Sequence, residues 1–224
     1  MNILAFNGSP RKKWNTAQLL QRALDGAASA GAETELVHLC TEPFKGCTSC
    51  FACKHKGSQT KGLCAYRDAL TPILVKARQA DAFIIGSPVY YDYPTAQTRA
   101  FLERLLFPVD TYLVDADGSR LRVLDTTIPT AMIYTMNCPQ WYMEKVNYPT
   151  ILGANEAALK RLFGYCETLY SCDTYQFSDY SKYACNMFSE EKKAVQKANQ
   201  FPKDLDNAFA LGQRLAALIA QEKR

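Results

Sequence analysis

The chain has little that would carry it across or into a membrane. Met1 to Gly8 shows neither the basic start nor the long apolar run of a secretion leader, so it reads as a strand. The longest stretch without charge, Thr126 to Met143, is interrupted by Pro129, Asn137 and Pro139 and carries four threonines, too polar to span lipid. Glycine and proline are sparse, 11 and 10 of 224 residues, and no repeat or low-complexity linker occurs, which excludes fibrous and disordered classes. No excess of one charge sign exists either: 26 Lys and Arg face 22 Asp and Glu, mixed along the chain, so neither a basic arm nor a nucleic-acid partner is expected. Histidine is limited to His38 and His55. What is plentiful is hydrophobic residues, 48% of the chain, and cysteine, nine in all. A soluble cytoplasmic protein folded as one domain, residues 1–224, is the expectation. In a reducing compartment clustered cysteines more often bind metal than pair as disulfides.

Hydrophobic period assigns the elements. Asn2 to Asn7 is an apolar strand stopped by Gly8-Ser9-Pro10; from Asn15, the residues Ala17, Leu20, Leu24, Ala27 and Ala28 mark a helix face that Gly31 can end. Glu33 to Leu39 alternates as a second strand and opens into a long cysteine-bearing loop at 40–67, of a length that is usually functional. Asp68 to Gln79 predicts a helix and Asp81 to Gly86 a buried strand, with Pro94 in the first turn of the next helix, which runs to Pro108. Asp117-Gly118 suits a small hairpin. Thr130 to Thr135 is a fourth strand, Ala154 to Cys166 a helix, and Leu169 to Phe177 a fifth strand. Ser189 to Lys223 forms a C-terminal helical extension, either one helix interrupted at Pro202 or two in series. Strands alternating with helices imply an α/β fold whose parallel sheet is covered on both faces and binds ligands beyond the carboxyl ends of its strands.

The loop after the first strand, Gly8 to Thr16, puts hydrogen-bonding Ser9, Asn15 and Thr16 and cationic Arg11 and Lys12 at a helix N-terminus, where free N–H groups attract anions. It lacks the Gly-Lys-Ser/Thr ending of an ATP-binding loop and the three-glycine dinucleotide pattern, so a mononucleotide phosphate fits better. The alternative is a solvated polar loop with Asn15 as helix cap. After the third strand, Ser87-Pro88-Val89-Tyr90-Tyr91-Asp92-Tyr93-Pro94 offers rings and backbone groups suited to a flat heteroaromatic, or simply half-buried tyrosines.

Asn-Gly-Ser-Pro-Arg-Lys with Asn-Thr at 7–16, and Gly-Ser-Pro-Val-Tyr at 86–90, together resemble the NADPH-dependent FMN reductase branch of the flavodoxin-like superfamily. With the cysteine run they resemble its iron-sulfur flavoproteins. The resemblance covers about the first 105 residues. It implies a flavodoxin-like three-layer fold with a five-stranded parallel sheet, order 2-1-3-4-5, and FMN across the strand ends. It further implies that Ser9, Arg11, Lys12, Asn15 and Thr16 hold the FMN phosphate, that Ser87, Pro88, Val89 and Tyr90 line the ring, and that Thr135-Met136-Asn137 forms a third flavin-contacting loop. Lys13 and Trp14 depart from the small residues frequent in the family. A homodimer or homotetramer is also implied, and the tyrosine-rich stretch from Tyr165 to Phe188 would suit an interface, a lid or plain half-exposed surface.

Cys47-x2-Cys50-x2-Cys53, with Cys64 ten residues further on, is a close-spaced set of four thiols. A 4Fe-4S cluster requires four thiolates, and x2 steps let successive sulfurs converge. In the iron-sulfur flavoproteins the last gap is shorter; free or redox-active thiols and a four-sulfur zinc site are the other readings. Cys40, Cys138, Cys166, Cys172 and Cys185 have no metal spacing and suit core positions. The function expected is an NAD(P)H-dependent FMN oxidoreductase of the flavin or quinone reductase type, with NAD(P)H as co-substrate and a small molecule or redox protein as electron acceptor. No catalytic acid or base is singled out; Tyr90, Tyr91 and Trp141 are candidates to shape the open ring face. An FMN and iron-sulfur electron carrier without a small-molecule substrate is the alternative, and a zinc-knuckle binding module a more distant one.

Overall fold

The computed structural model describes residues 1–222, so Lys223 and Arg224, the former expected to end the last helix, lie outside the described residues. Strands β1 (Asn2–Asn7), β2 (Glu33–His38), β3 (Ala82–Tyr90), β5 (Thr130–Thr135) and β6 (Cys166–Ser171) form a parallel sheet in the order β2-β1-β3-β5-β6. Short β4 (Tyr93–Pro94) pairs antiparallel with the end of β3. Counted without β4, the order is the expected 2-1-3-4-5.

The two-residue period of the strands divides the core. Ile3 and Ala5 of β1 and Ile84 of β3 face helices α1 (Asn15–Ser29) and α7 (Phe201–Glu222). Leu4, Phe6, Phe83 and Ile85 face the opposite layer, made by α2 (Leu70–Gln79), α3 (Ala96–Val109) and α5 (Tyr148–Phe163). Helix α7 crosses α1 at backbone distance: a Cβ on Gly26 would lie 2.0 Å from the Phe209 carbonyl oxygen, and one on Gly212 would lie 1.8 Å from that of Ala23. Short α4 (Gln140–Lys145) and α6 (Glu190–Asn199) complete the molecule.

Several boundaries differ from the sequence reading. Pro94 lies in β4 instead of the first turn of α3, because Thr95 caps that helix by accepting from the Thr98 N–H. The expected loop at 87–94 is a tight hairpin with Tyr91 and Asp92 at φ 46° and 73°, the twisted turn that joins β3 to β4. Strand β6 starts at Cys166, where pairing with Thr130 outweighs the apolar pattern that favoured Leu169, and α5 starts at Tyr148, six residues before Ala154. Of the two readings of the C-terminal extension the structure has the second, two helices in series, α6 and α7, with Pro202 in the first turn of α7, where its missing N–H costs nothing. The Asp117-Gly118 hairpin reduces to one antiparallel bridge, Val114 with Arg120. Among the described residues no helix is long and apolar enough to cross a membrane.

Candidate functional site

The strand pairings bring three loops to one level: Asn7 lies opposite Gly86, and Pro88 opposite Thr135, at the carboxyl edge of the sheet. Between them opens a cleft of about 140 Å³. Ser9, Arg11, Asn15 and Thr16 line one side, Pro88, Val89 and Tyr90 a second, and Thr135, Met136 and Asn137 a third. Ten of the twelve residues singled out from the sequence therefore share one cavity. Ser87 and Lys12 do not. The Ser87 hydroxyl is fully buried, donates to the Pro88 carbonyl and accepts from the Thr95 N–H, so it shapes the wall from behind. Lys12 is exposed, with its charge close to His38.

The first loop is fixed by its own backbone. Gly8 N–H donates to the Gly86 carbonyl at 2.8 Å, Thr95 Oγ1 donates to the Gly8 carbonyl at 2.8 Å, and buried Asn7 accepts the Ser9 N–H on Oδ1 at 2.9 Å. The Asn7 amide nitrogen bonds His38 Nδ1 at 3.0 Å, and burial, then the Lys12 charge, lower the His38 pKa below its ordinary value. So oriented, Trp14 Nε1 and Asn15 Nδ2 donate to the Tyr175 carbonyl at 3.0 and 2.8 Å, and Arg11 donates to that of Gln176. Three donors of one short segment thus converge on oxygen acceptors. Thr16 Oγ1 and Thr135 Oγ1, both buried, bond at 2.8 Å and tie α1 to the end of β5.

Thr174, Tyr175 and Gln176 also line the cleft; they belong to the tyrosine-rich stretch read from sequence as an interface, a lid or half-exposed surface, and the carbonyls of Tyr175 and Gln176 meet donors some 160 positions away. Trp14, noted only as a departure from the family pattern, is one of the donors. On the ring side Tyr90 is 51% exposed, which leaves the mouth open, and Tyr91 projects outward at the hairpin tip. Tyr148 Oη donates to Asp92 Oδ1 at 2.6 Å and pins that hairpin; burial, then this carboxylate, raise the Tyr148 pKa. Asn137 Oδ1 is buried without a protein partner. Trp141 does not line this cleft; it lines a separate cavity with Tyr170 and Cys172.

All nine cysteines are free thiols. Cys47, Cys50, Cys53 and Cys64 line one cavity, bounded by Tyr66 and by Glu103, Arg104 and Phe107 of α3. Among the described residues, though, no group of three or more His, Cys, Asp or Glu is drawn together at metal-ligand spacing. Burial raises the Cys53 thiol and outweighs the neighbouring Lys54 charge. Of the other cysteines Cys166 is buried, and burial pushes the thiols of Cys166 and Cys172 up to about 12, which leaves them protonated and inert.

A doubly wound sheet with a donor-rich loop after its first strand and an aromatic loop after its third, both at the carboxyl edge, is the arrangement of a mononucleotide-binding protein class. Residues 1–119 match the family model described as NADPH-dependent FMN reductase, and the chain belongs to that family. Among curated proteins, an iron-sulfur flavoprotein of Methanocaldococcus jannaschii is 36% identical over 104 residues, 46% of this chain and 51% of that protein. One from Archaeoglobus fulgidus is 36% identical over 106 residues, 47% of this chain and 46% of that one. The chain spans about half the length of the curated relatives it matches. Among solved structures, an NAD(P)H:quinone oxidoreductase from Methanothermobacter marburgensis superposes with TM-score 0.66 at 15% identity, over 96% of each chain. An azoreductase from Bacillus anthracis gives TM-score 0.65 at 12% identity, over 96% of this chain and 99% of that one. These two share the flavodoxin-like fold.

Proposed function

We propose that the protein is an FMN-dependent oxidoreductase that draws electrons from NAD(P)H and delivers them to a quinone, a flavin, another aromatic acceptor or a redox protein. The observation that carries this reading is the cleft itself, where ten residues marked by sequence as flavin ligands meet at the strand ends. The residues fit the cofactor. Arg11, Trp14 and Asn15 converge on the Tyr175 and Gln176 carbonyl oxygens, whose place a phosphate oxygen would take, and Asn137 brings an unpartnered buried acceptor. FMN, when bound, accepts a hydride and can release electrons singly. The chain's part is placement. Arg11, Asn15, Thr16 and Ser9 would hold the phosphate, Pro88, Val89 and Tyr90 would orient the ring, and Met136 would close it from water on the third side. The half-exposed Tyr90 and the hairpin tip leave one side free for a nicotinamide and then an acceptor. No general acid or base is required of the protein.

Cys47, Cys50, Cys53 and Cys64 suit a 4Fe-4S cluster by donor set, four thiols on one cavity, and such a cluster would supply one-electron transfer. The names of the relatives, iron-sulfur flavoproteins, support this assignment. We read residues 1–224 as one domain, acting in the cytoplasm as a homodimer or homotetramer, with the tyrosine-rich stretch from Tyr165 to Phe188, where Tyr183 is half-exposed, as the joining surface.

The test is a visible spectrum of anaerobically purified protein, with iron and sulfide assays, followed by stopped-flow mixing with NADPH. Flavin bands that bleach on mixing are expected, with about four irons per chain. A protein that takes up no FMN would overturn the oxidoreductase reading. Bound FMN that NADPH does not reduce would favour an electron carrier, and flavin without iron would leave the cysteines as plain thiols.

A further inference from the structure

Arg104 sits in the middle of α3 with its side chain fully out of water. A buried guanidinium is expensive unless its N–H groups are spent, and here hydrogen bonds take four of the five. Nε donates to Cys64 Sγ at 3.4 Å. Nη1 donates to the Lys45 carbonyl at 3.1 Å and to Asp68 Oδ2 at 2.5 Å, and Nη2 to the Tyr66 carbonyl at 2.8 Å. The Tyr66 ring lies 5.1 Å from the guanidinium carbon. Three of the acceptors, Lys45, Cys64 and Tyr66, belong to the cysteine-bearing loop, and the fourth, Asp68, directly follows it. The residue before Arg104 holds that segment as well: Glu103 Oε2 accepts the Cys47 N–H at 3.1 Å.

Cys64 is the thiol that most needs an anchor. Ten residues separate it from Cys53, and a longer closure costs more entropy to order than the x2 steps between the others. A planar fork that grips Lys45, Cys64, Tyr66 and Asp68 at once removes much of that freedom before any metal arrives. The bond also falls on sulfur, and hydrogen bonds to ligand sulfurs help set the potential of an iron-sulfur centre.

We propose that Arg104 is the positioning residue of the four-cysteine site, fixing the Cys64 sulfur and tuning the electron density on it. This rests on the reading of Cys47, Cys50, Cys53 and Cys64 as one iron site. Asp68 balances the guanidinium charge, so the pair brings a directed donor to the sulfur without an uncompensated cation.

Full-length protein is reconstituted anaerobically with ferrous iron and sulfide. Iron release to excess chelator is then followed for wild type, Arg104→Gln, Arg104→Lys, Cys64→Ser and the Arg104→Gln/Cys64→Ser double variant. The expected result is release about 10- to 100-fold faster in Arg104→Gln, the usual cost of losing an outer-shell partner. In the Cys64→Ser background the same change should add nothing, since its target sulfur is gone. Arg104→Lys keeps the cation beside Asp68 and lacks the fork; it should load iron, release it faster than wild type and show a more negative midpoint potential. It carries the test should Arg104→Gln fail to fold. Release at the wild-type rate in Arg104→Lys, or an equal acceleration by Arg104→Gln with and without Cys64, would reduce Arg104 to a tie between loop and helix and overturn the proposal. Wild type that takes up no iron would instead overturn the cluster reading beneath it.

Discussion

Gly212 and Gly153 are both helical glycines, and replacing each by alanine should move stability in opposite directions. In α5, nothing lies within 4 Å of a Cβ built on Gly153, so Gly153→Ala gains only the helix preference of alanine, about 1 kcal/mol. In α7, the same methyl on Gly212 would stand 1.8 Å from the Ala23 carbonyl oxygen and 2.9 Å from the Ala27 nitrogen. Those atoms are backbone and cannot rotate aside. Reaching an ordinary contact of 3.4 Å requires the helices to part by about 1.5 Å. Ala208, Leu211, Leu215, Ala216 and Ile219 are buried along this seam, and a gap of even 0.5–1 Å forfeits a quarter to a half of each contact's attraction. Overpacking of this kind costs up to about 3 kcal/mol, so after the helix gain Gly212→Ala should lose about 2 kcal/mol. For a chain of this size that is a fall in Tm of about 4–8 °C, against a rise of about 2–4 °C for Gly153→Ala. Urea and thermal unfolding of both variants beside wild type supply the measurement. Equal stabilisation by the two alanines would refute the close crossing of α1 and α7.

Removing the Arg11 side chain takes a charged donor from the first loop, so Arg11→Ala should weaken FMN binding about 10- to 100-fold, read by quenching of flavin fluorescence; an unchanged Kd would take Arg11 out of the site. Thr16→Val strands the buried Thr135 hydroxyl and should cost about 1–3 kcal/mol in urea unfolding, while Thr16→Val/Thr135→Val should recover most of that, a recovery whose absence would count against the 2.8 Å bond. The lowered pKa of His38 means that the unfolded chain binds a proton more readily than the folded one. Stability should therefore fall as pH drops through the ordinary value of 6.5 toward the lower folded pKa and level off above it, and His38→Gln should flatten the profile. Tyr148→Phe should loosen the Tyr91–Asp92 turn and raise proteolytic cleavage there, with little change in FMN affinity; cleavage at the wild-type rate would show that the 2.6 Å bond does not hold the turn.

Much of the fold was legible because buried strands are short apolar runs that end where the chain must turn. Asn2–Asn7 and Thr130–Thr135 stand in the structure at the limits read from sequence. The start of β6 was not legible, since Cys166 and Glu167 break the apolar run and only pairing with β5 makes them strand. The loops after the first and third strands declared themselves through their residue types, which is local information. Tyr175 and Gln176 did not, because a backbone carbonyl can be supplied by any residue and its address depends on the whole sheet being assembled. Arg104 was hidden for the opposite reason: an arginine in a helix ordinarily faces solvent, and nothing nearby in sequence marks this one as buried.

Helix α3 serves both regions that carry the chemistry. Its cap, Thr95, holds the Gly8 carbonyl beneath the flavin cleft, and Arg104, nine positions on, holds Cys64. A helix rises about 1.5 Å per residue and hardly stretches, so it acts as a ruler that sets the two anchor points about 13 Å apart along its axis. One inserted residue would turn Arg104 by about 100°, away from the cysteines, while leaving the cleft as it was. Variation among proteins built this way should accordingly gather in the cysteine loop, where length costs little, and spare the count of residues between Thr95 and Arg104.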